Sequence, residues 1–367
     1  MKEERLGKRI TICATCKLSN RKAFDVYKPL SDLLEVERIF LIRDEKGYEI
    51  EKLEYVVPRR IHFDNKLIKT AIRFLMMFYV CWKENPDIIH ATYLIPHAIN
   101  AFMVGKIFRK PIVVSLIGSD INIGLSKWYG DIWTYLLKRV DCVTVTGTSS
   151  RNEIIRRGID SSRVQILPVL IDTRKFKPRN AKKEYDLIFV GTLVWVKRVD
   201  TILRALLKVI GQGKQIRLGI VGDGPLRRRL EKMARDLDIR DRVDFLGYRE
   251  DTQNYFNRSR VAIMASSSEG LPAAMLEAMA CGLPCILPAV NDIPDVAVDG
   301  LNSLLVNQTD DVEDYSRAIV RLLGDEGLYA DLSQNALKIR EKCNFRKATE
   351  AWGRILSSLQ RRSPYPA

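Results

Sequence analysis

The chain has 367 residues, of which 46% are hydrophobic and 29% are charged, and its formal net charge is +15. This composition is typical of a globular protein with room for two domains, and it excludes disordered and fibrous proteins. The longest apolar run, 74–82, is far shorter than the roughly 20 residues that a membrane-spanning helix needs. With no apolar leader at its start, we expect a cytoplasmic protein that is soluble or peripherally attached to a membrane.

Short β-branched runs alternate with helical patterns along the chain, which predicts parallel sheets covered by helices on both faces. We therefore predict an α/β fold of two doubly wound, Rossmann-like domains that face each other across a cleft. The polar segment 173–186 is the predicted linker, and the N-terminal domain is expected to end at residue 178. The predicted strands are 9–14, 37–43, 87–92, 111–118, 141–147 and 164–168, followed by 186–191, 216–222, 243–247, 261–266 and 284–288.

The net charge lies mostly in the first half of the chain, since residues 1–180 carry 32 lysines and arginines against 20 acidic residues. Such a basic half favours an anionic partner. No nucleic-acid-binding motif or basic patch interleaved with aromatic residues accompanies the charge, so we expect no nucleic-acid partner.

The segment 65–84 predicts a helix on which Lys66, Lys69 and Arg73 form one basic stripe. Two interpretations remain open: a core helix with a solvated face, or an interfacial helix that places basic residues against anionic lipid. Together with Trp128 and Trp133, in the segment 126–139, the interfacial interpretation favours an acceptor at a membrane surface.

Cysteine and histidine usage argues against a metal centre. Cys13 and Cys16 form a CxxC pair, but no second pair and no neighbouring histidine completes a ligand set. The three histidines, His62, His90 and His97, are too few and too dispersed for a metal site. An odd number of cysteines, seven, favours a reducing compartment.

The most informative stretch, 261–286, reads as strand, loop, short helix and strand. Pro272 suits the first helical position, and the start of that helix offers unpaired N–H groups to an anion. Glu269 precedes this point, and Glu277 lies about 7.5 Å further along the helix axis. The spacing matches a nucleotide sugar, in which hydroxyl groups flank a diphosphate.

Two other interpretations of these acids are weaker. Each glutamate alone is compatible with an exposed surface position. A glycosidase pair is disfavoured because its two carboxylates must converge on one bond from opposite sides.

These residues resemble the E-x7-E signature of retaining glycosyltransferases of family 4, which have the GT-B fold. The resemblance extends through residues 85–360 and is more specific in the second half. The similar segments are 86–98, 110–122, 166–178, 186–200, 220–231, 243–248 and 298–306. The resemblance implies a donor domain over 179–345 and a last helix, 346–367, that crosses back to the first domain.

The resemblance also implies roles for individual residues. Glu269 would contact donor-sugar hydroxyls, Glu277 the ribose, and Lys197 the diphosphate as negative charge develops on it. The remaining donor-binding candidates are the backbone around Gly270, Leu271, Pro272, Ala273, Ala274 and Met275, together with Gly191, Thr192, Gly222 and Tyr248.

The implied activity is transfer of a sugar from a nucleotide diphosphate sugar to a hydroxyl of a glycan or lipid-linked acceptor. It would serve cell-surface polysaccharide or glycolipid synthesis, with retention of configuration. The family needs no protein nucleophile, metal or cofactor, and the donor acts as co-substrate. The acceptor-side candidates are His90, Asp120, Lys17 and Arg21. His90 is equally open to a structural role, and for Asp120 the role of a helix N-cap is favoured over an acceptor contact.

Several positions depart from the family pattern. Thr192 stands where an arginine is usual, Ile117 replaces a histidine, and Val169 and Leu170 replace an Asn-Gly pair. The loop after the first strand lacks the usual glycines; Lys17, Arg21 or Lys22 would then have to supply the missing charge. The alternative function is a catalytically weak, nucleotide-sugar-binding partner subunit.

Overall fold

The computed structural model describes residues 9–58, 65–118, 120–125 and 130–362. The chain divides into two compact units: unit 1 comprises Met1–Leu170 and Phe345–Ala367, and unit 2 comprises Ile171–Asn344. The division at residue 170 lies eight residues before the position expected from the sequence.

Unit 1 is built on a seven-stranded parallel sheet with the strand order β3-β2-β1-β4-β5-β6-β7. Its strands are β1 Ile10–Thr15, β2 Val36–Ile42, β3 Leu53–Val56, β4 Ile88–Thr92, β5 Ile112–Ser115, β6 Cys142–Val145 and β7 Val164–Ile166. The helices that follow them in this unit are α1 Asn20–Ser31, α2 Lys66–Glu84, α3 Ile99–Phe108, α4 Gly130–Leu137 and α5 Thr148–Arg156.

Unit 2 is built on a six-stranded parallel sheet with the order β10-β9-β8-β11-β12-β13. Its strands are β8 Tyr185–Val190, β9 Leu218–Val221, β10 Val243–Gly247, β11 Ser259–Ile263, β12 Cys285–Pro288 and β13 Ser303–Val306. Its helices are α6 Val199–Gly211, α7 Arg227–Asp236, α8 Thr252–Asn257, α9 Ala273–Ala280, α10 Val312–Gly324, α11 Glu326–Ala336 and α12 Ile339–Lys342. Both units thus have the predicted parallel, doubly wound architecture.

The strands β3 and β13 were not predicted from the sequence. Both are four-residue edge strands, and β3 is only half-buried, so neither has the long apolar run that marks a central strand. Their pairing with β2 and β12 forms them.

The predicted linker is tied to unit 2. The backbone N–H of Arg179 donates to Asn257 Oδ1 at 2.7 Å, and Lys183 Nζ donates to the Ser259 carbonyl oxygen at 2.8 Å. These hydrogen bonds hold the segment against unit 2, although its polar composition is typical of a flexible linker.

Unit 1 has an apolar core on each face of its sheet. Helices α2 to α5 contribute to one core, and α1 contributes to the other. The last helix, α13 (Phe345–Arg362), packs against α1, and Trp352, Ile355, Leu356 and Leu359 complete that second core. The final helix therefore belongs to unit 1 because its apolar side chains are buried there.

Two histidines lie inside unit 1. His90 Nε2 is 2.8 Å from Ser115 Oγ, and the ring meets Tyr27 and Trp352 edge-on. His97 Nδ1 is 2.8 Å from Thr15 Oγ1. Burial, which disfavours the charged imidazolium, lowers the pKa of each ring to about 3.

We predict that these rings make unit 1 acid-sensitive. Because their folded pKa values lie below the usual value of about 6.5, the unfolded chain binds more protons as the pH falls below 6.5. The free energy of unfolding should then drop by about 2 kcal/mol per ring at pH 5. Urea unfolding at pH 7.5 and 5.0 measures the loss, and His90→Gln should abolish about half of it. NMR signals of the His90 or His97 ring that titrate near pH 6.5 would contradict this account.

Candidate active site

The carboxyl ends of the unit 2 strands lie along one edge of the sheet. From β8 the chain proceeds outward to β9 and β10, and it then returns to β11 on the other side of β8 before continuing to β12 and β13. Strand order therefore reverses between β8 and β11, and ligands of open α/β sheets bind at such a switch point.

An ion pair spans this switch point. Lys197, on the turn after β8, donates from Nζ to Oε1 of Glu269, on the loop after β11. The two side chains are only 19% and 12% exposed, so the pair is weakly screened by solvent. The backbone N–H of Ser267 also donates to the Val196 carbonyl oxygen at 2.8 Å. The sequence placed both residues at a ligand site but did not predict that they contact each other.

Two glycines lie where the loops after β8 and β9 approach closely. A Cβ at Gly222, whose φ is +141°, would lie 1.9 Å from the carbonyl oxygen of Gly191. A Cβ at Gly191 would lie 3.9 Å from Lys197 Cε, an ordinary contact distance. Of the two predicted glycines, Gly222 is therefore the one at which the close approach leaves no space for a side chain.

Helix α9 begins next to Glu269. Pro272 is its N-cap, with φ −71° and ψ 124°, so the helix starts one residue later than predicted and Pro272 is not its first helical residue. Among the described residues, no side chain caps this end. The N–H groups of Ala273, Ala274 and Met275 precede the first intrahelical bond and point along the helix axis toward its positive end. Gly270 is buried and Leu271 half-buried in the loop before them.

Glu277 is half-buried inside α9, one turn before Cys281. Burial, with a smaller contribution from the Glu277 carboxylate, raises the pKa of Cys281 to about 12. This cysteine is therefore a neutral thiol.

The remaining donor-side candidates are exposed. Thr192 follows β8, and Tyr248 follows β10, on the opposite side of β9 from Lys197. Beyond the predicted residues, the Arg229 guanidinium lies 4.2 Å from the ring centroid of Trp195, which is also exposed. This stack places the cation of Arg229, from α7, against the loop that carries Thr192.

Asn291 is a site residue that the sequence analysis missed. It follows β12, has a φ of +46°, and its Oδ1 accepts from the Glu269 N–H at 3.1 Å and the Ser268 hydroxyl at 3.4 Å. Asparagine is one of the few residues that tolerate this left-handed conformation. The local signal was therefore present, but its partner, 22 positions away, was not visible in the sequence.

The acceptor-side candidates of unit 1 have different surroundings. His90 is enclosed in the core, so we assign it a structural role and not a ligand contact. Asp120 accepts from the N–H groups of Leu94 and Ile117, and burial raises its pKa to about 6. It joins the loops after β4 and β5. Lys17 is exposed, whereas Arg21 pairs with Asp25 within α1.

Other sequence predictions concern metals and membranes. Cys13 and Cys16 are buried free thiols. Across the residues described, no three potential ligands of the His, Cys, Asp and Glu types are grouped as a metal site would require. No helix in the described part of the chain is both long and apolar enough to cross a bilayer. His62 and Trp128 lie outside the described residues.

Comparison with known proteins identifies the family. The family model for glycosyl transferases group 1 matches residues 171–339, and that for glycosyltransferase family 4 matches residues 35–175. The N-acetyl-alpha-D-glucosaminyl L-malate synthase of Bacillus anthracis is 32% identical over 71% of this chain and 71% of its own length. The chain belongs to glycosyltransferase family 4.

Two further proteins extend the comparison of this family 4 member. A UDP-Gal:alpha-D-GlcNAc-diphosphoundecaprenol alpha-1,3-galactosyltransferase of Escherichia coli is 30% identical, over 71% of this chain and 73% of its own length. The solved structure of HepE from Anabaena, in complex with UDP and glucose, superimposes with a TM-score of 0.81 at 17% identity, covering 95% of this chain and all of that one. The structural likeness confirms the predicted GT-B fold.

We predict that Asn291 orients the loop that carries Glu269. Asn291→Gly removes the two hydrogen bonds but keeps the left-handed φ accessible, so it should weaken nucleotide-sugar binding about fivefold with little loss of stability. Asn291→Ala should weaken binding equally and also cost about 1 kcal/mol of stability. Titration calorimetry and urea unfolding measure the two effects. Wild-type affinity in the glycine variant would show that the carboxamide has no such role.

Proposed function

We propose that this protein is a retaining glycosyltransferase that moves a sugar from a nucleoside diphosphate sugar to a hydroxyl of a glycan or lipid-linked acceptor, in cell-surface polysaccharide or glycolipid synthesis. The observation that carries the proposal is the Lys197–Glu269 pair at the switch point of unit 2, beside the uncapped start of α9. A cation, free amides and a carboxylate are the groups that a sugar diphosphate needs.

The N–H groups of Ala273 to Met275 hold the diphosphate of the donor, and the dipole of α9 favours its negative charge. Lys197 adds a full positive charge, which stabilises the diphosphate as it leaves the sugar. Because Glu269 pairs with Lys197, the lysine is already positioned before the donor binds. The second oxygen of Glu269 accepts from sugar hydroxyls, and Glu277 accepts from the ribose.

Retention of configuration follows from attack on the face that the diphosphate leaves, with the departing phosphate oxygen taking the acceptor proton. The Glu269 carboxylate is engaged by a cation and the N–H of its own backbone by Asn291, a setting that orients a binding group. The cation and the amides supply the charge stabilisation, so the proposed mechanism uses neither a metal nor a cofactor.

The names of two similar proteins suggest which donors to test. The E. coli relative is named for UDP-Gal, and the HepE crystals contain UDP and glucose. UDP-sugars are therefore the first donors to test, followed by GDP- and ADP-sugars. The seven cysteines are buried free thiols, which fits the proposed location on the cytoplasmic face of a membrane.

We predict that Lys197→Met lowers kcat/KM at least 100-fold, because it removes the cation from the leaving diphosphate while keeping the side-chain volume. The matched control is Lys208→Met, which breaks the Lys208–Glu313 pair on the surface of the same unit and should leave kcat/KM unchanged. Activity is measured as release of the nucleoside diphosphate. Equal activity in the two variants would refute the proposed role of Lys197.

The two glutamates should be separable by ligand. Glu269→Ala should weaken binding of the nucleotide sugar roughly tenfold or more relative to binding of the nucleoside diphosphate, because only the nucleotide sugar loses the sugar contact, whereas the change at Lys197 is common to both ligands. Glu277→Ala should weaken binding of both ligands, because both contain the ribose. Thermal shift and calorimetry provide the affinities. If neither variant changes binding or turnover, the donor site lies elsewhere.

Thr192 motivates the alternative function, a catalytically weak nucleotide-sugar-binding partner subunit. It is exposed on the diphosphate loop and brings no charge there. The alternative expects saturable nucleotide binding without turnover of any donor. Thr192→Arg restores a cation at this position: a wild-type protein that already turns over donor eliminates the alternative, and turnover only in the variant supports it.

A further inference from the structure

Helix α2 carries an apolar ridge that faces solvent. Ile68, Leu75, Phe78, Tyr79 and Trp82 fall within a ~100° arc of the helix at 3.6 residues per turn. Leu75, Tyr79 and Trp82 are 62%, 52% and 70% exposed, although the opposite side of the helix is buried in the core of unit 1. The ridge is about 21 Å long. An amphipathic helix normally turns polar residues outward, so this arrangement needs a reason.

The ridge continues onto the two neighbouring helices. Phe78 packs edge-on against Phe108 of α3, with ring centroids 5.0 Å apart, and Met103 and Ile107 of α3 are exposed. From α3, Lys106 Nζ donates to the Arg139 carbonyl oxygen at 3.1 Å, and the Arg139 guanidinium lies 3.3 Å from the Tyr135 ring centroid of α4. We refer to the exposed apolar residues of α2, α3 and α4 as the α2–α4 face.

Exposed apolar residues are concentrated on this face. Of 19 large hydrophobic residues that are exposed in the described part of the chain, ten lie on α2, α3 or α4. They are Leu67, Ile68, Leu75, Phe78, Tyr79, Trp82, Met103, Ile107, Ile132 and Tyr135. A concentration of exposed apolar residues marks an interaction site, whereas single exposed apolar residues do not.

The charges around the face are mostly positive, but they do not form the stripe expected from the sequence. Arg73 is 7% exposed and forms a double hydrogen bond with Asp44, so its charge is neutralised and turned inward. The bases that reach solvent on α2, α3 and α4 or directly after them, within 66–84, 99–109 and 130–139, are Lys66, Lys69, Lys83, Lys106, Arg109, Lys138 and Arg139. The same three segments contain two acids, Glu84 and Asp131.

We propose that the α2–α4 face docks onto an anionic membrane surface, with the ridge of α2 inserted among the lipid headgroups. Trp and Tyr favour this interfacial depth, and the surrounding lysines and arginines meet anionic headgroups. A second copy of the chain fits poorly, because a symmetric dimer through this face would bring two rings of positive charge together. The docking deepens the proposed function by bringing the enzyme to lipid-linked acceptors, but its test needs no donor.

The experiment measures binding of the full chain to phosphatidylcholine vesicles with and without phosphatidylglycerol, by flotation at low and at high salt. The wild-type protein should bind the anionic vesicles and release partly at high salt. Leu75→Ser combined with Trp82→Ser should weaken this binding roughly tenfold or more, because both exposed side chains lose apolar contact with lipid. Lys69→Gln combined with Lys83→Gln should reduce the preference for anionic vesicles.

The matched control is Leu34→Ser combined with Leu301→Ser. These leucines are 91% and 51% exposed outside the α2–α4 face, so the control should bind vesicles as the wild type does. Trp82→Phe should retain binding while reducing fluorescence quenching by brominated lipid. Nucleotide affinity of each variant, measured without vesicles, should remain at the wild-type value.

Three outcomes would overturn the docking proposal. They are absence of binding to anionic vesicles at low salt, unchanged binding of the Leu75 and Trp82 double variant, and a lipid-free dimer in sedimentation that this variant dissociates. The last outcome would assign the face to a second copy of the chain. Because nucleotide affinity is measured separately, failure of docking is distinguishable from failure of the proposed transferase function.

Discussion

The ion pair between Lys197 and Glu269 joins the two halves of the unit 2 sheet. Its members come from loops that follow β8 and β11, which are adjacent in the sheet although more than 70 residues separate them in sequence. The loop that carries the lysine lies close to the loop after β9, and Gly222 permits this approach because a Cβ there would meet the Gly191 carbonyl oxygen. Placing the glutamate requires a fixed loop, which Asn291 holds through its carboxamide. The start of α9, which no described side chain caps, then lies beside this charge pair.

Unit 1 uses the equivalent position of its own sheet differently. Its strand order reverses between β1 and β4, and the hydrogen bond between Thr15 and His97 joins the ends of these strands. Because this region is buried, the charged forms of its groups are disfavoured: the pKa of each described histidine is lowered to about 3, and that of Asp120 is raised to about 6. The same topology thus supports a partly accessible ion pair in unit 2 and a buried hydrogen-bonded edge in unit 1.

The α2–α4 face adds a third environment, in which apolar side chains are exposed to water. Exposing these apolar side chains costs free energy of folding. Helix α2 tolerates this cost because its inner side is anchored by Met77, Val80 and Cys81 and by the ion pair between Arg73 and Asp44. Stability and surface chemistry therefore reside on opposite sides of one helix. This separation permits an apolar outer surface without loss of the core.

The sequence alone determined the class of fold and the centre of the site. Buried strands such as β1 and β8 have apolar runs that are local properties, and the loop and helix around Glu269 and Glu277 are continuous in the chain. Only tertiary structure decided the edge strands β3 and β13, the burial of His90 and Arg73, and the contact of Glu269 with Asn291. The physical reason is that these features depend on which distant residue supplies the partner. The distant partner decides whether a side chain binds a ligand, packs in the core or makes a structural contact. Sequence periodicity does not encode the identity of that partner.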